Sequence, residues 1–319
     1  YINETRDLLI TRRIAPSAGL DNPTLNVGKM RNQGFELELN WNDKISDFEY
    51  NVGFNISTIA NKVVALANED QTIYGVGLKY GSEHFPTQTK VGKPIGAFYL
   101  YQADGIFQSL EEVQAHKNSK GELLQPNAQP GDVRFKDMNG DGVIDEDDKT
   151  YSGTGIAKVE ANLNLGASYK GFDFSAVIGS AFGNKIYNGI RYYYEGMNSA
   201  SNFLSSTLDA WTPTHTNTSV PRAIYGDPND NTRESTRFLE NGDFVRLRQV
   251  QLGYTLPTSL VKKIYCDRIR FYVSAENVFT ITGYSGANPE FSMGVLNSGI
   301  DRFTYPFSRS YTVGAQVSF

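Results

Sequence analysis

The chain has few of the residues that build disulfide scaffolds or histidine-centred sites. Its 319 residues include one cysteine, Cys266, and three histidines, His84, His116 and His215. A single cysteine excludes an internal disulfide. The histidines lie far apart in loop-like sequence and no nucleophile motif accompanies them, so they do not predict a catalytic or zinc site. We therefore expect that the chain is not an enzyme.

Long hydrophobic runs and positive charge are also lacking. No apolar stretch approaches the ~20 residues that a membrane-spanning helix needs, which excludes a helical membrane protein. The net charge of −5 leaves no basic patch, so we expect no nucleic-acid partner. Aromatic residues are abundant instead, with 19 Tyr and 19 Phe. This composition favours strands, and a membrane β-barrel stays open because its strands show lipid only every second side chain.

Strict alternation of apolar and polar residues marks the clearest strands. In the segment 35–41, four apolar residues share one face: Phe35, Leu37, Leu39 and Trp41. The same pattern recurs in 48–57, 161–169 and 311–319. We predict about ten strands, many of them near the ~9–11 residues that cross a bilayer. Strands of soluble sandwiches are usually shorter, at about 5–6 residues.

The connections between these strands alternate in length. Tight turns at 42–45 and 170–171 contrast with loops of tens of residues elsewhere, which is typical of an outer-membrane barrel with long loops outside the cell. If Phe319 lies at the periplasmic end, counting strands backwards places the region 108–157 outside the cell as a loop insertion.

The same count of strand directions requires one further strand. The segments 46–60 and 94–107 both read as strands, and both must run outward. An inward strand must therefore lie between them, and we predict it within residues 71–91.

The region 108–157 carries an acidic segment with the spacing of an EF-hand loop. Oxygen donors fall at the first, third, fifth, seventh, ninth and twelfth positions, which are Asp137, Asn139, Asp141, Val143 (backbone carbonyl), Asp145 and Asp148. Gly142 is sixth, where such a loop turns sharply. We predict Ca²⁺ binding, with Mg²⁺ as the alternative cation. Asp rather than Glu at the twelfth position predicts lower affinity, and an acidic surface turn without a cation is the alternative.

Several further segments are similar to the C-terminal part of the SusC/RagA-like TonB-dependent outer-membrane transporters. They read NVG at 26–28, NQGFEL at 32–37, VGKPIG at 91–96, GDV at 131–133, DMNGDGVIDEDD at 137–148, LGYTLP at 252–257 and ENVFT at 276–280. The terminal Phe319 resembles the C-terminal signal that the barrel-assembly machinery reads. Asn288 departs from the family, in which Asp is more usual before Pro-Glu.

The resemblance implies an all-β fold, a 22-stranded antiparallel transmembrane barrel in the outer membrane of a Gram-negative bacterium, in contact with membrane lipid. Residues 1–319 are then the C-terminal portion of a TonB-dependent receptor barrel, without the plug domain and the N-terminal strands. About ten strands at the curvature of so wide a barrel cannot close alone. Tyr1, which is not Met, agrees with an expected longer protein.

The resemblance also implies a function, the active import of a large nutrient, either an oligosaccharide or a peptide. The implied partners are a SusD-like lid lipoprotein and the TonB complex, which acts through the missing N-terminal part. A Ca²⁺-binding secreted or surface β-protein for adhesion or structure is the alternative.

The long connection at residues 183–242 supplies the candidate contact residues. We predict that its aromatic rings stack on substrate or contact the lid, and these are Tyr192, Tyr193, Tyr194 and Trp211. Packing within the loops, or an interfacial belt, is the alternative. Arg246 and Arg248 are expected near the outer rim of the barrel, with ion pairing inside the barrel as the alternative.

Overall fold

The computed structural model describes residues 1–11, 23–68, 70–80, 82–197 and 202–319. The strands are β1 (Ile2–Thr11), β2 (Thr24–Gln33), β3 (Glu36–Ile45), β4 (Phe48–Thr58), β5 (Ala60–Ala65), β6 (Ile73–Tyr74), β7 (Leu78–Tyr80), β8 (Ser82–His84), β9 (Thr87–Thr89), β10 (Ala97–Leu100), β11 (Ala103–Ile106), β12 (Val133–Phe135), β13 (Thr150–Thr154), β14 (Val159–Tyr169), β15 (Phe172–Phe182), β16 (Lys185–Asn188), β17 (Leu239–Asn241), β18 (Phe244–Thr255), β19 (Arg268–Thr282), β20 (Ile300–Asp301) and β21 (Ser310–Ser318).

The helices are short. They are α1 (Leu110–Ala115), α2 (Gly189–Tyr194) and α3 (Thr258–Val261), with single 3₁₀ turns at Glu146–Asp148, Ser205–Asp209, Thr236–Phe238, Lys262–Ile264 and Val295–Asn297. Within the described ranges, no helix has the length and apolar character needed to cross a membrane.

Seven strands form the main sheet, in the order β21-β19-β18-β15-β14-β4-β3, and every neighbouring pair is antiparallel. The tight connections at residues 46–47 and 170–171 and the link at residues 256–267 lie at one end of these strands, here called the turn end. Lys170 and Gly171 both have positive φ, +47° and +89°, as the favoured two-residue hairpin turn requires. The long loops lie at the opposite end, the loop end. At the loop end, β2 leads into β3 and β5 follows β4. β2 and β5 pair with each other, and β1 pairs with the other edge of β2.

Two predicted barrel strands are absent from the main sheet. β4 pairs directly with β14 over all of its 11 residues, which leaves no room between them for 94–107 or for a strand within 71–91. The segment 94–107 breaks at Tyr101, whose backbone bonds to Glu234 and Thr236 of a distant loop. The prediction was wrong there because this aromatic, strand-like sequence forms the short strands β10 and β11, which pair within the loop that joins β5 to β14. Because the two segments that drop out of the strand count are an even number, the predicted inward or outward direction of every other strand is unchanged.

The register gives the main sheet one apolar and one polar face. One row of paired residues reads Trp41, Val52, Leu165, Ala176, Val250 and Ala275. The next row reads Asn42, Asn51, Gly166, Ser175, Gln251 and Ser274. The apolar face is uncovered, since Trp41 is 63% and Val313 84% exposed. So large an apolar surface is stable only against another apolar phase.

The loops at the loop end pack into a body with its own hydrophobic core, here called the loop domain. One cluster of fully buried residues comes from three segments of the chain, which join β5 to β14, β15 to β18 and β19 to β21: Leu78, Phe98, Leu100, Tyr187, Tyr192, Phe238 and Ile300. β16 joins two of these segments, because it pairs with β17 on one side and in parallel with β20 on the other. The long loops are therefore ordered by mutual packing.

Candidate functional site

The polar face of the main sheet carries a charge cluster near the loop end. Arg246 donates from Nη1 to Glu290 Oε2 at 2.8 Å and from Nη2 to Asn288 Oδ1 at 2.5 Å. Arg248 donates from Nη2 to Glu290 Oε1 at 2.9 Å. The loop after β19 is therefore folded back onto the polar face. Both arginines form ion pairs on this face, which is the alternative that the sequence left open.

A β-bulge makes this double contact possible. The pairing of β18 with β15 shifts register between Val177 and Ile178, which leaves Arg248 as the extra residue on β18. A bulge of this kind re-aims a side chain and increases local twist. Gly179 on β15 makes room for it, because a Cβ there would lie 2.2 Å from the Arg248 Nε.

A second charge cluster is buried in the loop domain. Glu195 accepts from Arg237 Nη2 at 2.9 Å and from Arg191 Nε at 3.0 Å. Arg191 also donates to Glu240 Oε1 at 3.1 Å. Burial lowers the pKa of Arg237 to about 10, and the nearby Glu195 carboxylate partly offsets this effect. Burial alone would raise the pKa of Glu240, but hydrogen bonds from Ser285 and other neighbours outweigh it, so the pKa is lowered. The Glu240 carboxylate is thus held as an anion.

This second cluster borders a cavity of about 750 Å³. The cavity lies between α2, the turn at Ser205–Asp209 and the loop after β19. Its polar lining includes Asn188, Arg191, Glu195, Asp209, Glu240 and Ser285. Such a mixture of fixed charges, amides and hydroxyls can hydrogen-bond a polar chain molecule.

The four predicted aromatic contact residues divide into two pairs. Tyr192 is fully buried and shares a hydrogen bond of 2.9 Å with His84 Nδ1. Trp211 is also buried, and its Nε1 donates to Gln108 Oε1 at 3.0 Å. These two rings are covered by protein, as the loop-packing alternative describes. Tyr193 and Tyr194 are only half-buried and pack against Phe303, so their role in contacting a ligand stays a prediction.

The acidic loop is closed by its own hydrogen bonds. Asp137 accepts from the backbone N–H groups of Gly140 at 2.6 Å and Gly142 at 2.9 Å. Asp141 accepts from the backbone of Val143 at 2.9 Å. Gly142 has a φ of +91°, the conformation expected at the sixth position. No three His, Cys, Asp or Glu side chains in the described part of the chain are grouped to hold a metal ion.

Asp148 has a different position from the other acidic residues. It is fully buried, and its carboxylate accepts from the backbone N–H groups of Met138 at 2.6 Å and Asp145 at 2.8 Å. It therefore ties the start of the loop to its end. The following Lys149 continues inward and pairs with the buried Glu234. The acidic loop is thus joined to the loop domain through charged side chains.

Replacing Asp148 should loosen the acidic loop without unfolding the sheet. Asp148→Ala leaves the Met138 and Asp145 N–H groups without this acceptor, which should lower the local stability of the loop by about 2 kcal/mol. We expect roughly thirtyfold faster cleavage of residues 137–148 by an added protease. Asp147→Ala is the matched control, since Asp147 is exposed. Equal cleavage rates for the two variants would contradict the structural role of Asp148.

The sequence did not single out Glu290, Glu195 or Arg237. Glu290 could have been found, because the Asn-Pro-Glu segment at 288–290 was recognised and two arginines alternate on β18. Glu195 and Arg237 are 42 residues apart in a long loop, and no spacing rule connects them.

Comparison with known proteins finds similarity along the whole chain. TonB-dependent receptor P3 of Formosa agariphila is 30% identical over 331 residues, which cover 100% of this chain and 32% of that protein. TonB-dependent receptor SusC of Bacteroides thetaiotaomicron is 26% identical over 326 residues, with 100% and 29% covered. The chain thus spans about a third of the length of these relatives. No family model matches it.

Solved structures of the same kind share the fold. The RagAB peptide transporter aligns with a TM-score of 0.76 and 24% identity over 100% of this chain and 32% of that chain. The RagAB peptide importer in the open-open state aligns with a TM-score of 0.75 and 23% identity, with the same coverage. The predicted fold class, the C-terminal strands of a transmembrane antiparallel β-barrel, is confirmed by this likeness and by the sheet.

Proposed function

We propose, from the premise that this chain is homologous to the SusC/RagA-like TonB-dependent receptors, that it acts in the outer membrane as part of an importer of large nutrients. The observation that carries the proposal is the two-faced main sheet. Its uncovered apolar face suits lipid, and its polar face bears the Arg246–Glu290 cluster and the returning loop. A wall of this kind, bent into a barrel, encloses a hydrated path.

The proposed cargo is an oligosaccharide or a peptide. The cavity of about 750 Å³ beside α2 supports a chain molecule with many hydrogen-bonding groups, because its lining offers both donors and acceptors. The half-buried rings of Tyr193 and Tyr194 are proposed to contact this cargo or a SusD-like lid lipoprotein. RagAB, which aligns over the whole chain, is described as a peptide transporter. Energy would come from the TonB complex.

Uptake by cells tests this proposal. Cells that lack the full-length protein should lose growth on the correct oligosaccharide or peptide mixture as sole nutrient, and a strain without TonB should lose the same growth. The tagged full-length protein should co-purify in detergent with a lipoprotein. Extraction of the full-length protein from cells without detergent would contradict the proposal and favour a surface protein for adhesion.

We propose separately that the acidic loop binds Ca²⁺, with Mg²⁺ as the weaker alternative. Its donors are all oxygens, as a hard cation requires, and the sixth residue has the turn geometry of such loops. The ligands would be side chains of Asp137, Asn139, Asp141 and Asp145 and the carbonyl of Val143. Asp148 would contribute less than a twelfth-position Glu, because its side chain is one methylene shorter and is fully buried. The role proposed is to hold the shape of an external loop.

Chelation tests the cation proposal. Adding Ca²⁺ to the chelator-treated full-length protein should slow protease cleavage within residues 137–148 by about tenfold, because an ion bridging several loop oxygens opposes local opening. In Asp141→Ala with Asp145→Ala, cleavage should be equally fast with and without Ca²⁺. Protection of the wild-type loop that is insensitive to chelator would contradict cation binding and leave the import proposal unaffected.

A further inference from the structure

The apolar face of the main sheet is bordered at the turn end by a row of aromatic residues. Consecutive strands place in register Phe48, Tyr169, Phe172, Tyr254 and Phe271. Aromatic rows of this kind lie at the membrane–water interface of barrels. Phe182 is exposed ten residues further along β15, on the same face as Phe172. Ten residues of a strand tilted by ~40° rise about 25 Å, which is the height of the apolar band of a barrel.

The link between β18 and β19 begins just beyond this row and folds over the outer wall. Val261 of α3 and Cys266 are buried against Ile269 and Leu256. Ile269 and Phe271 are alternate residues of β19, so both point to the apolar face. Leu256 is related in the same way to Tyr254 on β18. The link therefore packs on the lipid side of the sheet, next to the aromatic row.

The outer surface of this link is apolar and basic. Leu260 and Ile264 are each more than half exposed, and Tyr265 is 93% exposed. Lys262 and Lys263 are exposed between them, and no ion pair within the described residues involves either lysine. Apolar side chains interleaved with lysines are the pattern of a segment at a membrane surface, where the rings and aliphatic groups enter the acyl boundary and the ammonium groups reach the headgroups.

We propose that residues 256–266 form an interfacial anchor that binds phospholipids of the turn-end leaflet. Leu260, Ile264 and Tyr265 insert beside the acyl chains, and Lys262 and Lys263 bind the lipid phosphates. Two observations select lipid as the occupant. The link is continuous with the lipid-facing wall, and its unpaired lysines complement anionic headgroups. The inference rests on the barrel fold and not on the nutrient that the barrel carries.

Fluorescence quenching by lipid tests the anchor. The full-length Tyr265→Trp protein is placed in vesicles of phosphatidylethanolamine and phosphatidylglycerol that carry bromine on the acyl chains. The emission added by the new Trp, relative to the parent protein, should fall at least twofold in brominated vesicles. Tyr225→Trp is the matched control, since Tyr225 is 82% exposed in the loop domain, and its added emission should not change. Added emission at position 265 that iodide quenches but brominated lipid does not would overturn the proposal.

The lysines need a separate measurement. Lys262→Gln with Lys263→Gln should weaken the preference of the protein for spin-labelled phosphatidylglycerol over phosphatidylcholine by about fivefold for each lysine. Lys117→Gln with Lys120→Gln, which removes two exposed lysines of the loop domain, should leave the preference unchanged. An unchanged preference in the 262–263 variant would overturn headgroup binding. Import of nutrient by these variants should be retained, so a failure here is distinct from a failure of the proposed function.

Discussion

Glu290→Ala should release the loop after β19 from the polar face of the sheet, at a cost of about 3–5 kcal/mol in local stability. The substitution removes the only carboxylate that the described residues place against Arg246, whose side chain is 4% exposed. A buried guanidinium without a counterion retains its desolvation cost and loses the attraction that compensates for it. The bonds from Arg246 to Thr280 and Asn288 remain, but neither neighbour carries charge.

Trypsin cleavage at Arg309, an exposed residue of this loop, measures the release. If opening is fast relative to cleavage, the cleavage rate follows the population of the open loop, and we expect an increase of about a hundredfold or more. Arg248→Ala is the matched comparison, because Arg248 contacts the same carboxylate but is 39% exposed. Its loss should cost about 1 kcal/mol or less. Equal rates in the two variants would show that burial of Arg246 does not decide how the loop is held.

Tyr192→Ala should destabilise the loop domain by about 3–5 kcal/mol, the usual cost of emptying a buried aromatic site. Tyr192 is fully buried, and its ring centroid lies 5.6 Å from Phe238 and 6.3 Å from Tyr187. Removal of the ring leaves a cavity in the core of the loop domain, beside Tyr187, Phe238 and His84. Hydrogen exchange of α2 and β16 in the full-length protein measures the loss, while the strands of the main sheet should stay protected.

Tyr192→Phe separates the ring from its hydroxyl. This variant keeps the packing and removes only the hydrogen bond with His84, so about 1 kcal/mol should be lost. Tyr194→Ala is a second control, because Tyr194 is half-buried and should have a small effect on exchange. A large loss of uptake in Tyr192→Ala with unchanged exchange protection would contradict the packing role and restore the role in contacting a ligand.

The acidic loop shows what motif spacing can and cannot establish. The turn between Asp137 and Asp145 could be predicted from the sequence, because a turn with a glycine at its sixth position depends only on local residues. The partner of the Asp148 carboxylate could not be predicted, because the same spacing suits a carboxylate that binds a cation and one that accepts backbone N–H groups. In the structure, Asp148 is buried and its carboxylate accepts the backbone N–H groups of Met138 and Asp145.

Most of the barrel wall could be predicted from the sequence alone. Strands β3, β4, β14 and β21 alternate apolar and polar residues, because each is long and has one face toward an apolar phase, and period two is a local property of the chain. Which strand-like segments lie outside this wall depends on tertiary contacts. The segment 94–107 is also strand-like and aromatic, but its strand partners lie within the loops, and the pairing of β4 with β14 excludes it from the wall. Contacts between residues far apart in the sequence, such as Arg237 with Glu195, leave no periodic pattern because each depends on a neighbour that the chain reaches only after folding.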